Sequence, residues 1–132
     1  MRVLQPPGWP RPRGYANGIA ADTGGTLVFV AGQIGWDAET GAFPDRDLTG
    51  QVRRTLQNVL AVVAEAGGRP EHIARLTWYV VNRHDYLKSA RDIGAVYREL
   101  MGDHYPAMAV VEVTALMEAQ AKVEIEATAV LP

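Results

Sequence analysis

The sequence contains no cysteine. Disulfides, zinc–thiolate centres and cysteine nucleophiles are thereby excluded, and the core must close without covalent staples. The 132 residues allow this. A chain of that length buries roughly two-thirds of its unfolded surface, so one domain over residues 1–132 is expected. Long apolar runs are also missing. The longest, residues 59–63, falls far short of the roughly 20 residues a membrane helix needs. Residues 1–7 carry no apolar stretch of the kind a secretory leader uses. The expectation is a soluble cytoplasmic protein with no membrane partner. Neither sign of charge dominates: 13 basic and 15 acidic residues give a net charge of −2. The basic residues are scattered, with Arg53–Arg54 their sole adjacent pair. That pattern offers no electrostatic footprint for nucleic acid. Trp9, Trp36 and Trp78 are too dispersed for a base-stacking platform. His72, His84 and His104 fall in separate segments without ligand spacing, so no metal is expected. No Gly-x-Ser-x-Gly elbow or phosphate loop occurs.

What is present reads as a small α+β domain. Residues 1–13 form an extended lead-in, because Pro6, Pro7, Pro10 and Pro12 forbid a helix or central strand. Residues 15–21 and 26–32 read as strands joined by a turn at Asp22, Thr23, Gly24 and Gly25, which predicts a β-hairpin. The second strand is continuously apolar, as for a strand buried on both faces. Residues 37–47 form a loop. A helix follows, capped by Asp47 or Thr49 and ended by Gly67–Gly68, with Leu48, Val52, Leu56, Val59, Leu60 and Val63 on one face. Residues 70–73 suggest one helical turn and residues 76–81 a strand. A second helix spans residues 85–100, capped by Asp85, with Gly102 closing it. Strands at 107–113 and 121–130 complete the order β-β-α-β-α-β-β. This predicts one mixed sheet, mainly antiparallel, with two helices packed on one face. The other face then wants a partner, which points to oligomerisation.

Several segments resemble the RidA (YjgF-type) family. Residues 27–34, Leu-Val-Phe-Val-Ala-Gly-Gln-Ile, resemble the strand that in the family ends Ser-Gly-Gln-Ile. Thr40–Gly41 follows in the loop. Asn58-Val59-Leu60 and Ala66–Gly67 look like parts of the first helix. Pro106–Ala107, Val111-Glu112-Val113 and Leu116 resemble the Pro-Ala-Arg-Ser strand, and Val123-Glu124-Ile125-Glu126-Ala127 the closing Val-Glu-Ile-Glu strand. The order and spacing of these segments, from residue 14 to 130, make the resemblance specific. It implies a chorismate-mutase-like fold and a homotrimer with small-molecule clefts at its subunit interfaces. It also implies hydrolysis of reactive imines or enamines to keto compounds and ammonia, with no metal or organic cofactor.

Carried over residue by residue, the resemblance assigns Glu124 as the catalytic carboxylate that positions water. A surface or interface ion pair is the competing role. Tyr15, Ala31, Gly32, Gln33, Met108 and Val110 are the candidate substrate-binding residues. Ala31 stands where the family has serine, and the asparagine of its second helix falls near Gly94. Met108 replaces an arginine that grips the substrate carboxylate through paired charge-assisted hydrogen bonds. Methionine offers apolar, polarizable contact instead. The loss is worth about 2–5 kcal/mol of binding, or roughly 30- to 5,000-fold. The expected substrate is therefore a neutral or more apolar metabolite than the usual 2-imino acid, or an acid held by another cation, with Arg13 and Lys122 as candidates. Strand alternation places Lys122, Glu124, Glu126 and Thr128 on one face, which could meet solvent, a trimer interior or a cleft wall; alternation alone favours solvent, and the resemblance reverses that for Glu124. Two readings stand: an imine or enamine deaminase, and a small-molecule-binding or metabolite-sensing trimer without turnover.

Overall fold

The computed structural model describes residues 1–22 and 24–132. Its centre is a four-stranded sheet in the spatial order β3-β6-β4-β5. The strands are β1 (Arg2–Leu4), β2 (Gly18–Ala20), β3 (Thr26–Ile34), β4 (Ile73–Val80), β5 (Ala107–Glu112) and β6 (Val123–Leu131). β6 runs antiparallel to both β3 and β4, while β4 and β5 are parallel. The helices are α1 (Leu48–Glu65), α2 (Arg83–Lys88) and α3 (Ala90–Met101). The expected α+β architecture with a mixed, mainly antiparallel sheet is present.

The helical period read from the sequence defines the face α1 buries. Leu48, Val52, Leu56, Val59 and Val63 are all in the core, against Val123, Ile125 and Ala127 of β6 and Ile93, Val96 and Tyr97 of α3. Asp47 caps α1 by accepting from the Gly50 N–H at 3.3 Å. Gly67, at φ 82°, provides the left-handed stop. In β6 the odd-numbered side chains from Val123 to Leu131 are buried under the helices, and the even-numbered ones turn to the other face. That second face carries Leu27, Phe29, Thr77, Tyr79, Glu124 and Glu126, and among the described residues no element covers it. Phe29 is 75% exposed there.

Five local expectations are corrected. The hairpin of residues 15–21 with 26–32 does not form. β2 pairs with β1, and β3 pairs along its length with β6. A Gly-Gly turn is a local signal. A seven-pair ladder that seats Val28 and Val30 against Ala129 and Ala127 outweighs it. The turn expected at residues 22–25 includes Thr23, which lies outside the described residues. The extended lead-in contains β1, ahead of its prolines. The strand at 26–32 is not buried on both faces, since Leu27 and Phe29 lie on the uncovered one. Finally, the second helix is broken. Ser89 sits between α2 and α3 with ψ 4°, its hydroxyl donating to Asp85 Oδ1 at 3.5 Å. Serine competes in this way with the helical ladder. The α2 cap is Asn82, which accepts from the Asp85 N–H at 2.9 Å, rather than Asp85.

Candidate functional site

The candidate residues fall into two groups on opposite sides of the sheet. Glu124 pairs with Tyr79 across β4 and with Ile34 across β3. Met108 pairs with Leu76 and Val110 with Trp78, on the helix-covered side. Because Trp78 and Tyr79 alternate, Glu124 and Val110 of one chain face away from each other. One chain therefore does not bring all seven candidates together.

The first group surrounds a break in the β3–β6 ladder. The register shifts between Val30 and Gln33, so that Ala31 and Gly32 stand opposite the single residue Glu126. Bulges of this kind re-aim side chains and free backbone groups. The Gln33 side chain turns back and donates to the Ala31 carbonyl at 3.0 Å. Gly32 lies directly against Glu124: a Cβ there would sit 2.5 Å from Oε1 and 2.8 Å from Cδ. The missing side chain at 32 lets the carboxylate rest on the strand, and a methyl group there would push it aside. Among the described residues Glu124 has no side-chain hydrogen-bond partner. The neighbouring acid differs. Glu126 accepts from the Tyr79 hydroxyl at 2.7 Å, which holds the phenol above its usual range. The carboxylate the sequence singled out is the one left available.

In the second group Met108 lines a cavity of about 280 Å3 between β5, α2 and α3, whereas Val110 packs against the core. Met108 forms one wall, with Trp78, Tyr86, Tyr97 and Tyr105 around it. Tyr97 and Tyr105 stack with centroids 5.3 Å apart, and Trp78 meets Tyr86 edge-on at 6.5 Å. The Tyr97 hydroxyl donates to the His104 carbonyl at 2.7 Å. Burial first, then the nearby Tyr105, pushes the Tyr97 phenol far above its usual range, and burial also raises Tyr86. Of the two proposed replacement cations, Arg13 borders this cavity, while Lys122 borders a separate one with Leu48 and Asp85. Arg98 of α3 also borders the Met108 cavity. Tyr15, 42% exposed, lines an adjoining hollow of about 630 Å3 that shares Gly14 and Tyr105 with it. Residues 14–16 are held there because Ala16 bridges Ala107 in parallel and donates its N–H to the Pro106 carbonyl at 3.0 Å.

Sequence reasoning missed Arg98 and the aromatic walls. Trp78, Tyr86 and Tyr97 carry the apolar periodicity of their elements and therefore read as plain core. Among the described residues, no group of three or more His, Asp or Glu is arranged to hold a metal ion. No helix there is long and apolar enough to cross a membrane.

Comparisons with known proteins agree with this architecture. The family model described as Endoribonuclease L-PSP matches residues 11–131. A RutC family protein of Pyrococcus abyssi is 35% identical over 121 residues, covering 91% of this chain and 89% of the relative. The 2-iminobutanoate/2-iminopropanoate deaminase of Salmonella typhimurium is 36% identical over 109 residues, 80% of each chain. Among solved structures, a Rid family protein of unknown function from Yersinia pestis superposes with a TM-score of 0.84, at 30% identity and 98% coverage of both chains. Escherichia coli TdcF, solved with bound serine, gives 0.70 at 32% identity over 100% of both. With the fold and nearly the full length in agreement, the chain belongs to the RidA (YjgF-type) family.

Proposed function

We propose that this protein is a cofactor-free imine or enamine deaminase working in clefts between the subunits of a homotrimer, on a small metabolite other than the usual 2-imino acid. The observation that carries the reading is the Glu124 carboxylate, unpaired among the described residues and seated on the Gly32 backbone. An available carboxylate is what water addition to a C=N bond requires. Water oxygen bonds to the imine carbon as the C=N electron pair moves to nitrogen. Glu124 takes the water proton and returns it to nitrogen. In the tetrahedral intermediate Glu124 takes the hydroxyl proton and passes it to the nitrogen, so that C=O forms as the C–N bond breaks and ammonia leaves.

Two features support the intersubunit cleft. The bare sheet face exposes Phe29, Leu27 and Val111, an apolar patch that a second copy would cover. The two groups of candidate residues lie on opposite sides of one chain, so a complete site takes Glu124, Ala31, Gly32 and Gln33 from one subunit and Tyr15, Met108 and Val110 from another. Relatives named as deaminases act on 2-iminobutanoate and 2-iminopropanoate. Here Met108 withdraws the cation that short imino acids need, which favours a more apolar substrate.

The test generates imines in situ from a panel of neutral, short acidic and bulky apolar precursors and follows release of the carbonyl product. Acceleration that disappears in Glu124→Gln is expected. No acceleration on any of them refutes the reading. It would favour a binding or sensing trimer, for which the same Met108 substitution is the motive, and which a thermal-shift screen with Met108→Arg alongside would detect.

A further inference from the structure

We propose that Arg98 is the cation that replaces the missing arginine, so that the cavity beside Met108 binds small organic acids with an aryl or branched alkyl body. The inference rests on reading this cavity as the ligand site. Three independent features point to it.

The first is the place of the guanidinium. Arg98 lies one helical turn beyond Gly94 on α3, and residues four apart share a helix face. A Cβ built on Gly94 would lie 3.5 Å from Arg98 Nη1. The arginine thus folds back over the glycine, into the space a side chain at 94 would take. Among the described residues no carboxylate lies within ion-pair distance of Arg98, whereas Arg53 and Arg69 pair with Glu99 and Glu71.

The second is a further cation. Arg13, from the lead-in, borders the same cavity and has no acidic partner among the described residues, so positive charge reaches it from two separate segments.

The third is the shape and lining. About 280 Å3 lies near the lower limit of small-molecule sites. Met108, Tyr86 and Tyr97 line it with polarizable and aromatic surface. A short imino acid would leave that surface unfilled. A ligand with an apolar body against Met108 and its carboxylate at Arg98 and Arg13 fills it. The cation has moved from the strand to the helix, and the ligand it suits is correspondingly larger.

Direct binding tests this without turnover. Phenylpyruvate, pyruvate and the neutral analogue phenylacetone are titrated into the purified protein by calorimetry and tryptophan fluorescence. Phenylpyruvate is expected to bind about tenfold or more tightly than either of the others. Arg98→Gln should remove its advantage over phenylacetone, Arg13→Gln should reduce it, and Arg91→Gln, on the same helix but away from the cavity, should leave it intact. Gly94→Asn, which crowds the guanidinium, should weaken phenylpyruvate alone. Each variant is checked for an unchanged melting temperature. Equal binding of phenylpyruvate and phenylacetone, an unaltered preference in Arg98→Gln, or no binding of phenylpyruvate overturns the proposal. Binding through Arg98 without imine turnover would sink the deaminase reading and leave this one standing. Turnover indifferent to Arg98→Gln would do the reverse.

Discussion

Replacing Gly32 by alanine separates the chemistry at Glu124 from the stability of the sheet. Gly32 is not among the glycines with positive φ, so alanine fits its backbone. Removing a glycine also lowers the entropy of the unfolded chain, worth about 0.4–1 kcal/mol in favour of folding. Against this, the new methyl carbon would sit 2.5 Å from Glu124 Oε1, where ordinary contact begins near 3.4 Å. The atoms in the way belong to the far end of a flexible side chain, so the carboxylate swings aside and the strand stays put. The net change in stability should stay within about 1 kcal/mol. Turnover should respond differently. A displacement of about 1 Å at a catalytic group costs on the order of a hundredfold. The assay pairs chemical denaturation with carbonyl release from in-situ imines, comparing Gly32→Ala with Glu124→Gln. A Gly32→Ala enzyme that is as active as wild type would refute the placement of Glu124 at the reacting atoms. A loss of several kcal/mol would instead show that the bulge cannot hold a methyl group and that Gly32 serves the sheet.

Other consequences are simpler to read. Gln51 is fully buried on α1, donating to the Asp45 and Gln120 carbonyls at 3.2 and 2.9 Å and accepting from the Lys122 N–H at 2.7 Å. Gln51→Leu should cost about 1–3 kcal/mol in denaturant unfolding, because it leaves three part-buried backbone groups without their partner; a neutral result would mean water replaces it. Leu56→Ala, at a fully buried site in the α1 core, should cost about 2–5 kcal/mol. Asp47→Ala removes the α1 cap and should cost about 1 kcal/mol. The raised phenols predict alkaline instability. Tyr97 keeps its proton when folded but loses it above about pH 10 when unfolded, so its contribution is complete below that pH and falls as the pH rises further. Urea melts of Tyr97→Phe between pH 8 and 11 should show a smaller alkaline decline than wild type, and an identical decline would assign the effect elsewhere.

The elements the sequence predicted well are those whose periodicity and burial agree. Leu48 to Val63 carries a helical apolar stripe with a cap before it and a glycine pair after it, and all three signals act locally. Val123 to Leu131 alternates strictly, and its buried and uncovered faces follow. Pairing was less legible. The Gly-Gly turn after β2 is a hairpin signal, but β3 takes a partner about a hundred residues away, which local chemistry does not encode. Ser89 is one hydroxyl in a helical pattern, too weak to announce a break. At the candidate site, Glu124 and Gly32 were found by resemblance, and their contact was not foreseeable from spacing. Arg98 was hidden because an exposed helical arginine ordinarily reads as a solvated charge; only the space over Gly94 distinguishes it.

The position of β6 has a bearing on how the chain folds. It lies between β3 and β4, yet it follows both in sequence. Neither of those strands can complete its pairing until residues 123–131 arrive. During synthesis, β3 and α1 must wait with their apolar sides unmatched while the intervening residues emerge, which favours transient helper contacts over early closure. Pairings this distant in sequence place folding in the milliseconds-to-seconds range typical of sheet-dominated domains. Deleting the last strand would therefore split the sheet at its centre, leaving two fragments with raw edges, where loss of an outer strand would leave the rest joined.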